Sequence, residues 1–419
     1  MKKLDSYRLY LGASIYYRFC WWTMVTINLV YMVQIAGLDP LQMVLVGTAL
    51  ELSAFIFEIP TGVVADLYSR KLSVTIGYVL TGAGFLLLAL VPRFEVILIS
   101  QVIWGMGSTF ISGAYPAWLA DEIGVERANN AYLRASQLGL LGSFVGIGTS
   151  VALASIALQL PIMVGAVGII GLGIFLAIFM DEKGFTPAPR EDRQTFGQMA
   201  HTFNQGVSLV RARPLLISIF AITFAGGMFS EGLDRLSTLF LIDQFQFPAL
   251  GNLDTVSWWG IIAAGITILS YVSTGLARKL VDPNSHRQVT IALSVLTAAI
   301  AGGVLLFAWA SVFLVAVGAL LFIAALRAVT DPLTTAWLNQ SLEPRTRATL
   351  LSMNSQADAL GQSIGGPIVG VVAKYVAISV ALTFSALILL PALAIYRIAF
   401  TQNSNSDDTD TSVSGDHQS

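Results

Sequence analysis

Nine ionisable side chains stand inside otherwise apolar runs of this sequence: Arg18, Glu51, Glu58, Glu231, Asp234, Arg235, Arg327, Asp331 and Asp358. In lipid such a charge costs roughly 2.5–3.5 kcal/mol on insertion scales, so each marks a candidate functional group. Glu231 and Arg235 are four residues apart, as are Arg327 and Asp331. At that spacing two helical side chains meet and can neutralise each other. Asp234 lies on nearly the same face as Glu231. Glu51 and Glu58 share a face, and Arg18 lies at a depth where it can pair with Glu51 across helices. Glu51 and Asp358 have no charged partner at helical spacing in their own runs, although Asn354 and Gln362 flank Asp358. A desolvated carboxyl can exchange a proton near neutral pH, so Glu51, Asp234, Asp358 and Glu231 are the candidate proton carriers. Arg18, Arg235, Arg327 and Asp331 are their candidate charge partners. Self-compensated packing pairs would have the same spacing, so both readings stay open.

The runs that hold these residues make up most of the chain. Of 419 residues, 55% are hydrophobic and 11% charged, where a soluble protein carries roughly 25% charged residues. Such a chain cannot cover a water-facing surface, so lipid must be the solvent for most of it. At roughly 20 apolar residues per crossing, twelve spans are expected: 9–36, 41–64, 72–91, 95–118, 136–157, 160–180, 214–241, 254–277, 288–309, 312–337, 350–373 and 376–400. The first has a basic start but no small-residue cleavage site, so it reads as a retained span and not a signal peptide. The twelve divide into two six-helix bundles, 1–180 and 214–400, joined by a cytoplasmic linker, 181–213. Within the linker, 196–210 is mildly amphipathic and suits a membrane surface. The acidic tail 401–419 has no apolar anchors and is expected to be disordered.

Lys and Arg placement orients the spans. Lys2, Lys3 and Arg8 precede the first. Arg70, Lys71, Arg127 and Arg134 occupy loops after spans 2 and 4, and Arg278, Lys279, Arg287, Arg345 and Arg347 fall on the same side. The opposite loops offer Arg93 and Lys374. Both termini are therefore expected in the cytoplasm, with the protein in the plasma membrane. The halves also echo each other. Ala117–Leu119 and Ala336–Leu338 both read AWL, and Ser136, Gln137, Gly142 and Gly146 match Ser355, Gln356, Gly361 and Gly365 at the same offset. Thr61–Gly62 recurs as Thr274–Gly275 before another basic loop. Two parallel repeats of six spans can rock about a midplane site and give alternating access.

With this duplicated layout, the stretch between spans 2 and 3 resembles the signature of the major facilitator superfamily, over essentially the whole chain. Gly62, Asp66, Arg70 and Lys71 keep its register, while Leu67 stands where a basic residue is usual and Ser69 where a second glycine is usual. The resemblance implies an all-α membrane protein of the major facilitator fold. It implies a gate in which Gly62 admits a close neighbour, Asp66 faces the positive end of a helix from the other half, and Arg70 pairs with Asp121 or Glu122. A solvated turn whose charges only mark the inside is the plainer alternative. In this family spans 1 and 4 line the cavity, which makes Trp21, Trp104 and Tyr115 cavity candidates beside Gln137 and Asn354. Aromatic lining suits drug-like or amphipathic substrates, and the scattered Gln and Asn residues leave a hydrophilic one open.

The expected function is proton-coupled efflux by a monomer, with a small molecule, protons and the lipid bilayer as partners. The alternatives are a proton symporter that takes up a small metabolite and a sensor that keeps the fold without transport. No cofactor, metal, nucleic acid or enzymatic activity is expected. Cys20 is the one cysteine, His201, His286 and His417 fall in loops or the tail, basic residues are dispersed, and a Walker motif is missing.

Overall fold

The computed structural model describes residues 5–186, 207–208, 210–211, 214–251, 253–340 and 347–397. Most of the stretch 196–210 and all of the tail 401–419 lie outside them, as do His201 and His417. The described chain is nearly all helical. In order it forms α1 (Ser6–Gln34), α2 (Pro40–Leu67), α3 (Arg70–Leu90), α4 (Phe94–Ser112), α5 (Ala114–Ile123), α6 (Val125–Ala154) and α7 (Gln159–Phe179). Then come α8 (Pro214–Gln244), α9 (Ser257–Leu280), α10 (His286–Ala308), α11 (Phe313–Gln340), α12 (Arg347–Tyr375) and α13 (Ile378–Ile388).

Local chemistry sets several of these ends. Asp39 and Gln42 form a reciprocal capping box at the start of α2, with Pro40 in the first turn, where its missing N–H costs nothing. Ser69 caps α3 by accepting from the amide of Leu72, and Ser285 caps α10 by accepting from Gln288. Gly124, at φ +83°, turns the chain between α5 and α6, a backbone region that favours glycine. Arg127 and Arg134, expected in a loop, fall on α6, because the helix begins at once after this glycine.

Ten stretches are long and apolar enough to cross a membrane among the described residues: α2, α3, α4 with α5, α6, α7, α8, α9, α10, α11, and Ile378–Arg397. The two remaining expected spans are α1 and α12. Each has 29 residues, about 43 Å of helix, but polar residues dilute them. Arg8, Arg18 and Asn28 interrupt α1, and Asn354, Gln356, Asp358 and Gln362 interrupt α12. Large apolar side chains such as Leu141, Val145, Val167, Ile174, Val295 and Leu306 stand exposed on the outer helix faces, as a lipid solvent requires.

The chain forms two compact units, Met1–Thr195 with Arg235–Ala264, and Phe196–Asp234 with Gly265–Ser419. In the first, α1 packs on α6 and α7, α3 on α4 and α7, and α2 on α4. Met24, Tyr31, Phe85, Leu88 and Trp118 are buried in its core. The second unit's core gathers Leu216, Ile219, Leu293, Trp337, Leu350 and Tyr396.

The two units solve one packing problem the same way. A methyl group on Gly142 would meet the carbonyl of Ile15 and lie 3.2 Å from the amide nitrogen of Phe19. One on Gly361 would meet the carbonyl of Phe224 and lie 3.0 Å from the amide of Met228. The helix pair α1–α6 is thus matched by α8–α12, backbone against backbone at glycine. One turn before these glycines the arrangement is reciprocal. In the first unit the side chain of Arg18 lies over Gly139, with Cγ 3.1 Å from where a Cβ would stand. In the second unit the glycine is Gly227 on α8, where a Cβ would meet the backbone carbonyl of Asp358 from α12, with the Asp358 Oδ1 3.1 Å from that point.

Candidate functional site

In the second unit, α8, α10, α11, α12 and the stretch 389–396 enclose a cavity of about 420 Å³ that brings together four charged residues. Asp234 from α8, Arg327 and Asp331 from α11, and Asp358 from α12 all line it. Both terminal nitrogens of Arg327 donate to the two carboxylate oxygens of Asp234, one at 2.9 Å. This fork-to-fork geometry holds both groups in fixed orientation. The guanidinium also stands 5.9 Å from the ring centre of Phe229. The expected in-helix pair of Arg327 with Asp331 is therefore corrected. The planar guanidinium reaches across to α8, where it can make two parallel bonds. Asp331 makes no hydrogen bond or ion pair among the described residues.

Asp358 has an uncharged partner in its own helix: Gln362, one of its two expected flanking residues, donates to its Oδ2 at 2.8 Å. One turn earlier Asn354 accepts from the hydroxyl of Thr223 at 2.9 Å. The cavity wall is thus a polar ladder of Thr223, Asn354, Asp358 and Gln362, with Thr330 and Thr334 opposite. Glu231 is 1% exposed and does not line the cavity.

The first unit holds the stretch that links α2 to α3. Arg70 Nε lies 3.0 Å from Asp121 at the end of α5. Glu182, just beyond α7, accepts from the hydroxyl of Ser69 at 2.6 Å and from the amide of Lys71 at 3.1 Å. Glu122 accepts from the amides of Lys183 and Gly184 at 2.6 and 2.7 Å. Trp118, fully buried, donates its indole N–H to the carbonyl of Asp181 at 2.6 Å. The starts and ends of α3, α5 and α7 are thereby tied into one knot. Lys183 stands against Asp181 at 2.9 Å, and that hydrogen bond raises its pKa above the ordinary lysine value.

Two members of the expected gate take no part in this knot. A Cβ on Gly62 would meet nothing within 4 Å. Asp66 is exposed and makes no hydrogen bond or ion pair among the described residues. Glu182 was missed, and its sequence signal was position alone, as the first glutamate after the sixth span.

The second unit repeats the knot with other chemistry. Ser285, His286 and Arg287 open α10 as Ser69, Arg70 and Lys71 open α3. His286 is therefore no solvated loop residue. Its Nδ1 accepts the indole N–H of Trp337 at 3.2 Å, and Gln340 donates to the carbonyl of Pro283. Trp337 stands in its AWL where Trp118 stands in the other.

The aromatic cavity candidates pack against one another and their neighbours. Tyr115 is 6% exposed, and its ring is flanked by Tyr10, Tyr78 and Trp118. Trp21 and Trp104 lie 5.5 Å apart and both contact Phe85. These rings fill space between α1, α3, α4 and α5, where apolar bulk is needed. Gln137 lines a separate surface cavity with Tyr7, Arg127 and Arg134. Glu51 is half-buried in α2 and Glu58 exposed, while Arg18 lies along α6.

Residues 9–299 match the family model of the major facilitator superfamily. An uncharacterized MFS-type transporter of Bacillus subtilis, YxaM, is 22% identical over 363 residues, covering 86% of this chain and 88% of that protein. Among solved structures, a mutant form of the nucleoside transporter NupG superposes with a TM-score of 0.76 at 14% identity, covering 94% of this chain and 100% of that one. A POT family transporter in complex with 5-aminolevulinic acid gives 0.74 at 12% identity, covering 94% and 96%. A bacterial homolog of the human lysosomal transporter Spinster, in an inward-facing and unoccupied conformation, gives 0.71 at 15% identity, covering 96% and 98%. At these identities the solved structures speak for the fold alone. The family match, the helical spans and the polar cavity agree, and this chain belongs to the major facilitator superfamily as a multi-pass membrane transporter of small molecules.

Proposed function

We propose that the chain is a proton-coupled secondary transporter that exports amphipathic organic cations from the cytoplasm across the plasma membrane. It works as a monomer on twelve spans with both termini in the cytoplasm, by alternating access. The observation that carries this reading is the Arg327 cavity. Three carboxyls line it against one guanidinium, and Asp234 takes up both arms of that guanidinium. Asp331 and Asp358 are left as acids with no arginine of their own. A proton and an organic cation can compete for either one, and such competition is the physical basis of exchange. The polar residues of α1 and α12 fit the same reading. A helix that borders an aqueous path carries residues that lipid would reject.

A second reading rests on the hydrogen-bonding wall of the cavity. Thr223, Asn354, Gln362 and Thr330 suit a small hydrophilic metabolite taken up with protons. Proteins of like fold include a nucleoside transporter and a peptide transporter.

Proteoliposomes loaded acid inside separate these readings. With a panel of lipophilic cations and small metabolites, an exporter takes a cation in as protons leave. A symporter moves its substrate only in the direction of the protons. Asp358→Asn and Asp331→Asn then identify the carrier. Full coupled flux in both variants would remove the cavity from the mechanism and favour a carrier such as Glu51 in the other unit. If no compound on the panel moves and neither variant alters binding, the sensor reading takes its place.

A further inference from the structure

A second cavity, of about 510 Å³, opens in the first unit between α1 and α7. Its walls are Gly12, Ala13, Tyr16, Gly171 and Phe175, and Arg8 stands at its end. Tyr16 and Phe175 are 43% and 38% exposed on this outer face. The helices touch where Gly165 and Gly168 meet Cys20, Met24 and Tyr16, and the cavity lies on the side of this contact toward the start of α1. The result is a furrow running about eight residues of helix from Tyr16 to Arg8, or about 12 Å.

Two glycines in it have no packing duty. A Cβ on Gly12 or on Gly171 would meet nothing within 4 Å, and neither has a positive φ. A mid-helix glycine costs stability relative to alanine, and here the return is open space. Gly165 and Gly168 on the same α7 are different, because a neighbour occupies the place of their missing side chains. Arg8 is exposed and forms no ion pair among the described residues. The acid beside it, Asp5, caps α1 by accepting the amide of Arg8.

We propose that this furrow is a binding site for one anionic phospholipid of the leaflet that meets the start of α1. An acyl chain lies along Gly12, Tyr16, Gly171 and Phe175, and the headgroup phosphate sits on Arg8. The occupant follows from the surroundings. An apolar furrow on the outside of a membrane protein is filled by hydrocarbon, and a free cation at headgroup level selects the negative headgroup. The site needs only that the protein spans a bilayer, so it stands whether or not the transport reading does.

Native mass spectrometry tests it, on protein released from nanodiscs of equal phosphatidylglycerol and phosphatidylcholine. Wild type retains one phosphatidylglycerol in preference to phosphatidylcholine. Arg8→Gln lowers that preference about fivefold, the factor one basic residue supplies near an anionic surface. Gly12→Leu with Gly171→Leu fills the furrow and removes the retained lipid of both kinds. Equal retention of both lipids by wild type overturns the proposal, as does undiminished retention by the filled variant. A second measurement needs no variant. Phosphatidylglycerol with a diazirine on its acyl chain should label peptides containing Tyr16 and Phe175, and labelling elsewhere only would refute the site.

Discussion

The pair Arg327–Asp234 offers the sharpest test of the polar cavity. Its two N–H···O contacts join ionised groups, and such bonds contribute about 1.5–3 kcal/mol each when shielded from water. The side chains are 32% and 47% exposed, so screening removes part of that. An exposed pair gives about 0–1 kcal/mol, whereas breaking a buried one costs about 3–5 kcal/mol. A value between these, about 2 kcal/mol, is the expected coupling energy, a factor of about thirty in an equilibrium constant. The two single changes should not cost the same. Arg327→Gln leaves Asp234, Asp331 and Asp358 in one cavity with no cation. Asp234→Asn leaves Arg327 with Asp331 one turn along its own helix, so this variant is the milder. The double variant should recover about 2 kcal/mol relative to the sum of the singles. Reversible unfolding in mixed micelles, titrated with dodecyl sulfate, reads these differences. Additivity within about 0.5 kcal/mol would refute the reasoning, as would a stronger coupling of Arg327 to Asp331 than to Asp234.

Three further outcomes are expected. Gly361→Ala drives a methyl into the α8 backbone and should lower stability by about 1–3 kcal/mol, while Gly62→Ala, inside α2 with open space around it, should raise it by about 0.5–1 kcal/mol in the same titration. Arg70→Ala and Asp121→Asn should each cost about 1 kcal/mol or less, because the pair is partly exposed. In flux measurements their effects should be non-additive, and additive effects would separate Arg70 from Asp121. Ser69→Ala and Ser285→Ala each remove a helix cap and should each cost about 1 kcal/mol, with the Ser69 change the larger because its hydroxyl also donates to Glu182.

Much of the fold was legible because lipid imposes one simple rule on a chain, a long apolar run per crossing. The helices, the basic loops and the echo between the halves all follow from it. The rule weakens where polar residues interrupt a helix, as Arg8, Arg18 and Asn28 do in α1 and Asn354, Asp358 and Gln362 do in α12. The site was legible as a list of charges and illegible as a set of pairs. Spacing along one helix suggested Arg327 with Asp331, but a guanidinium is long and flat and chooses the acid it can grip with both arms. Single-helix spacing carries no signal for a bond between α11 and α8. The aromatic residues were ambiguous for a related reason. Trp21, Trp104 and Tyr115 are as useful for filling a core as for lining a cavity, and only their neighbours distinguish the two. His286 looked like a loop residue because its partner, Trp337, is fifty-one positions away.

The reciprocal placement of charge and glycine bears on how such a chain can change over time. For two copies of one ancestral half, moving from Arg18 over Gly139 to Asp358 over Gly227 takes two substitutions on two helices. At Gly227 the nearest neighbour is the carbonyl of Asp358, so a side chain is excluded there whatever residue stands at 358. The glycine in the second half is thus fixed by the helix contact alone, and the carboxylate in one half and the guanidinium in the other are two different groups placed on a common frame.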